Sequence, residues 1–79
     1  MKKIAPLKRP YQTLYYSQYG LATHDSQGHA GSEKGAIRAS VVRVFEGEYK
    51  LATIHENDVV IYTVKRTKTG IDIFYGDRS

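Results

Sequence analysis

The chain has 79 residues, with 12 Lys/Arg against 8 Asp/Glu and no cysteine. That is the size of one domain, and it excludes a disulfide frame, a thiolate metal site and a cysteine nucleophile. No apolar run approaches the ~20 residues of a membrane-spanning helix. After Met1, Lys2 and Lys3, where a signal peptide would carry its apolar stretch, stand Pro6, Lys8, Arg9 and Pro10, so a soluble, cytoplasmic protein is the expectation.

Residues 1–10 read as a flexible basic arm. Lys2, Lys3, Lys8 and Arg9 lie there without an acid beside them, and from Tyr11 onward 8 basic residues balance 8 acidic ones. The whole net charge of +4 therefore belongs to the arm, which suits it to phosphate or to an acidic protein surface. Residues 11–79 read as a single small domain with its core in 32–76.

Residues 11–19 carry four tyrosines, a strand-like composition. The first six form a candidate fourth strand at a sheet edge. Residues 20–31 hold three glycines and Leu21 as their one large apolar residue, which reads as a loop. His24, Asp25 and His29 in that loop are usable metal ligands, but their spacing fits no usual finger or protease pattern. Gly28 and Gly31 frame a GxxG, and Lys34 follows, yet no Ser/Thr stands after the lysine as in a nucleotide-binding loop.

A helix is expected over 32–46. Ser32 is a suitable N-cap, Glu33 suits the first turn, and Ile37, Val41, Val44 and Phe45 share one face of a 3.6-residue period. Gly47 suits the position after the helix end. A strand across 37–45 is the rival, and it would put Arg43 among the inward residues. Three strands follow, over 49–55, 59–66 and 71–75. Glu56-Asn57-Asp58 and Thr67–Gly70 supply the turns, with Gly70 free to take positive φ. The fold class expected is thus α+β, one helix packed on a three-stranded antiparallel meander. Its core of about 45 residues is near the lower limit for a chain without disulfides or metal, so self-association or a covering partner is expected.

Catalysis is not expected. The carboxylate pairs Glu46/Glu48 and Glu56/Asp58 sit at turns, and no nucleophile-elbow pattern surrounds any serine. No cofactor or membrane partner is implied. Two binding readings remain open. One is nucleic acid or a nucleoprotein complex, held by Lys2, Lys3, Lys8 and Arg9 of the arm and by Lys65, Arg66 and Lys68 at the second hairpin. The other is a host protein, bound by an inhibitor or adaptor of phage type through a tyrosine-rich surface of Tyr11, Tyr15, Tyr16 and Tyr19. Tyr62 and Tyr75 are assigned to the sheet and its core.

Overall fold

The computed structural model describes residues 10–18, 24–47 and 49–78. The basic residues Lys2, Lys3, Lys8 and Arg9, with Tyr19, lie outside the described residues. In chain order the elements are β1 (Tyr11–Tyr16), β2 (Ser26–Ala30), α1 (Glu33–Phe45), β3 (Leu51–Glu56), β4 (Val59–Thr67) and β5 (Gly70–Tyr75). The five strands form one antiparallel sheet in the order β2-β1-β3-β4-β5. The protein is α+β as expected, and the sheet corrects the expectation twice. Tyr11–Tyr16 is the strand between β2 and β3, not an edge. Residues 26–30, read as loop, are the true edge strand. SQGHA has no apolar pattern of its own; it pairs because β1 offers it a free row of backbone donors and acceptors.

The helix forms where the cap and dipole signals place it. The Ser32 side chain accepts from the Gly35 backbone N–H at 3.0 Å, and Glu33 puts a carboxylate in the first turn. Gly35 is less of a helix breaker than its type suggests, since a Cβ there would stand 3.0 Å from the Ser32 Oγ that its own amide must reach. At the other end, the Glu46 and Gly47 amides donate to Val42 and Val44 carbonyls, and Gly47 takes the left-handed conformation, φ 88°.

The buried stripe is Ala36, Ser40 and Val44, i, i+4 and i+8 of one face. Ile37 and Val41 are half-buried beside it, while Phe45 is 71% exposed, so the expected 37/41/44/45 face is rotated toward smaller residues. Small side chains let the helix approach the sheet closely, and Phe45 lies about 100° further round. Under the helix lie Tyr15, Ala52, Ile54 and Val64, all buried. Tyr11, Thr13 and Tyr15 of β1 share that face with Ile54 and Ala52 of β3, Tyr62 and Val64 of β4, and Ile71, Ile73 and Tyr75 of β5.

Both meander turns have two residues. Asn57 and Asp58 take φ 52° and 65°, the pair of positive values a type I′ hairpin requires. In β4, Ile61 is an extra residue: Val60 pairs with His55 while Tyr62 pairs with Ile54. After β5 the chain turns at Gly76 and crosses to the face away from the helix. There the Thr63 hydroxyl donates to the Gly76 carbonyl at 2.7 Å and accepts from the Arg78 amide at 2.9 Å.

Candidate protein-interaction face

One helix cannot cover this sheet. An α-helix is 10–12 Å across with its side chains, and five strands span roughly 19 Å between the outermost axes. The two outer strands are therefore partly uncovered, and their compositions differ. On the helix side β2 presents Ser26, Gly28 and Ala30, small residues that tolerate solvent. On that side β5 presents Ile71, Ile73 and Tyr75. Ile73 is 47% exposed and Tyr75 81%, which corrects the placing of Tyr75 in the core.

The helix adds to this surface. Ile37 and Val41 lie on its flank toward β4 and β5, Val42 and Phe45 are exposed beyond them, and Arg38 and Lys34 border the same shallow depression. Two contacts fix this flank over β4. The Tyr62 hydroxyl donates to Glu33 Oε1 at the helix N-terminus. The Arg66 guanidinium donates to the Phe45 carbonyl at 2.7 Å at the C-terminus. Tyr75 lies against Tyr62, ring centroids 5.3 Å apart. An apolar strip thus runs from the outer side of α1 across to the edge of the sheet.

The sequence-selected tyrosines are elsewhere. Tyr15 is 2% exposed and belongs to the core, which corrects its reading as an interface residue. Its ring packs 5.1 Å from that of Tyr49, and Arg43 lies 4.3 Å over it, a covered stack on the β1 side of the helix. The inward phase of β1 decides this, since Thr13 and Tyr15 alternate with Leu14 and Tyr16. Tyr11 is half-buried beside Glu56, and burial followed by the Glu56 and Glu33 charges raises its pKa. Tyr16 is half-buried on the other face, in register with Leu51.

The basic cluster is divided by strand alternation. Lys65 points to the face away from the helix and Arg66 toward it, where the Phe45 carbonyl engages it. Lys68 is exposed in the turn. That turn is at the opposite end of the sheet from Tyr11, which pairs with Glu56. Pro10, the first described residue, therefore lies beside Asn57 and Asp58, at the opposite end of the sheet from Lys65, Arg66 and Lys68.

The loop ligands also separate. Asp25 accepts from the Ser17 amide at 2.7 Å, and hydrogen bonding from Ser17 holds its carboxyl below the usual value. His29 lies about 13 Å further along the chain. It shares a polar cleft with Pro10, Gln12, His55, Asn57 and Asp58, Gln12 pairing with His29 on one side and His55 on the other. His55 Nε2 is 2.8 Å from Thr53 Oγ1, and burial lowers its pKa against the opposing charges of Asp77 and Asp58. Among the described residues no group of three His, Cys, Asp or Glu side chains is placed to hold a metal ion, and no helix is long and apolar enough to cross a membrane.

Sequence reasoning missed Phe45, Ile73 and Tyr75. For Ile73 and Tyr75 the signal was available: the last strand of a meander is an edge unless something pairs with it, and IDIFY is apolar on the side the helix must cover. No protein-family model, curated protein or solved structure matches the chain.

Proposed function

We propose that the protein is a non-enzymatic protein-interaction module whose contact surface is the α1–β5 strip. The observation that supports this reading is the coincidence of exposed apolar side chains, Phe45, Ile73 and Tyr75, with a strand edge that no described strand pairs. Natural edge strands are blunted with lysine, proline or shortness. β2 follows that rule with five polar or small residues. β5 has six residues, no lysine and no proline. The partner fitted by such an edge is an extended protein segment that continues the sheet. It would carry apolar side chains toward the Ile71, Ile73 and Tyr75 side and no acid opposite Asp72.

The nucleic-acid reading keeps less support, because Lys65 and Arg66 face opposite sides of the sheet and Arg66 is engaged at the helix end. Phe45→Ser/Tyr75→Ser separates the readings. Its melting temperature should match wild type, and it should lose the binding partner recovered by cross-linking in the native host, with or without nuclease. Binding that survives this variant, but is abolished by nuclease and by Lys65→Ala/Lys68→Ala, would overturn the protein reading in favour of nucleic acid. The lysine pair is the cleaner choice, since removing Arg66 also uncaps α1.

A further inference from the structure

We infer that the strand docking on β5 is β5 of a second copy, so that two chains form one ten-stranded antiparallel sheet about a two-fold axis at Ile73. This deepens the protein-interaction reading and rests on it. Backbone phase leaves the outer edge of β5 open to such a strand. Thr67 and Gly70 flank a two-residue turn as partners, which makes them a hydrogen-bonded pair. Alternation then points the amides and carbonyls of Gly70, Asp72 and Phe74 at β4. Those of Ile71, Ile73 and Tyr75 point outward, and the Gly76 amide returns inward to the Ile61 carbonyl. The outward groups belong to the same residues whose side chains form the apolar strip.

Side-chain register then fixes where the axis lies. A two-fold normal to the sheet keeps each side chain on its own face, so it must pass midway between a residue and its own copy. Centred on Asp72 it would set two carboxylates directly opposite, which destabilises a pair of strands. Centred on Ile73 it pairs Ile73 with Ile73, Ile71 with Tyr75, and Asp72 with Phe74. Aromatic and β-branched residues meet on the helix side, and no like charges face each other. The row across the two copies then reads Val64, Ile73, Ile73, Val64, apolar throughout. Asp72 keeps Lys65 as its neighbour on β4.

Charge is distributed unevenly along the sheet. Among the described residues, Arg43, Lys50, Lys65, Arg66 and Lys68 lie at the end of the sheet with the β4–β5 turn, alongside Asp25, Glu46 and Asp72. Glu33, Glu56, Asp58 and Asp77 lie at the other end, alongside Lys34 and Arg78. Antiparallel docking sets the basic end of one copy beside the acidic end of the other. Both ends of the interface are complementary at once, as an isologous contact requires.

The test is a charge exchange at the axis, read by sedimentation equilibrium on the full chain. Wild type should sediment at twice the chain mass of 8.9 kDa. Ile73→Lys and Ile73→Glu should each weaken the dimer ~100-fold or more, since each places two like charges together and removes two buried isoleucines. Position 73 is half-exposed in one chain, so circular dichroism should show both variants folded. An equimolar mixture of the two should recover the dimer. A monomeric wild type at millimolar concentration overturns the inference, as does a dimer that both single variants leave intact. The broader reading fails separately, if Phe45→Ser/Tyr75→Ser leaves binding of the host partner unchanged.

Discussion

The Arg66 guanidinium donates to the Phe45 carbonyl, one of the four carbonyls an α-helix leaves without an internal partner at its C-terminus. Its charge also suits the negative end of the helix dipole. Arg66→Ala should therefore destabilise the fold by about 1 kcal/mol in urea unfolding, an effect not expected of a solvated hairpin charge. Tyr62 offers a second test at the same scale. Its hydrogen bond to Glu33, with burial and the Glu33 charge adding to it, pushes its pKa up to about 12. A raised tyrosine pKa means that the folded state holds the proton more tightly than the unfolded chain. The stabilisation is thus complete below the ordinary tyrosine pKa near 10 and is lost as pH rises toward 12. Near-ultraviolet titration should show one tyrosine ionising late, and Glu33→Gln should return it toward the ordinary range.

At the scale of the element, α1 places adjacent residues in opposite situations. Val44 is fully buried and Phe45 is 71% exposed. Val44→Asp should cost roughly 3 kcal/mol or more, because a carboxylate would be buried without a partner, whereas Phe45→Asp should leave the melting temperature within a few degrees of wild type. Thermal unfolding of the two variants checks this directly. The helix was legible in the sequence because Ser32, Glu33 and Gly47 act locally, through the backbone groups nearest them. The three-strand meander was legible for the same reason, its pairings being closed by two-residue turns. β2 was not legible. SQGHA pairs only because β1 stands beside it, and β1 is central only because β3 takes its other side. Such pairings are set by tertiary context, which strand propensity does not register. The division of Lys65 from Arg66 follows from the two-residue period of a strand and was open to sequence reasoning. The exposure of Phe45 required knowing that α1 seats on its small residues.

For the whole molecule, the sheet is held differently on its two sides. One side is covered in its middle by α1, and the other has the Gly76–Arg78 segment fastened to Thr63. Thr63→Val would leave the Gly76 carbonyl and the Arg78 amide without that hydroxyl while keeping the side-chain shape. A loss of about 1–2 kcal/mol is expected in the same urea experiment, together with faster hydrogen exchange at the Arg78 amide. The two ends of the sheet differ as well, basic at the β4–β5 turn and acidic at the β3–β4 turn. A near-neutral body can therefore orient itself in a field or beside another charged surface.

The central position of β1 also governs the order in which the molecule assembles. β3, β4 and β5 can zip together through neighbouring residues, but Tyr11 must find Glu56 and Tyr16 must find Leu51, across chain separations that make closure slow. The meander should form early and β1 should arrive late, carrying β2 with it. Mutations in the β3–β4 hairpin, such as Val64→Ala, should slow refolding. Thr13→Ala should chiefly speed unfolding, and stopped-flow chevrons would distinguish the two. Until β1 docks, the inner edge of β3 is open. Its four consecutive residues Leu51–Ile54, buried in the finished fold, then form an adhesive segment on a nascent chain, and the interval before β1 arrives is when this protein is most prone to aggregate.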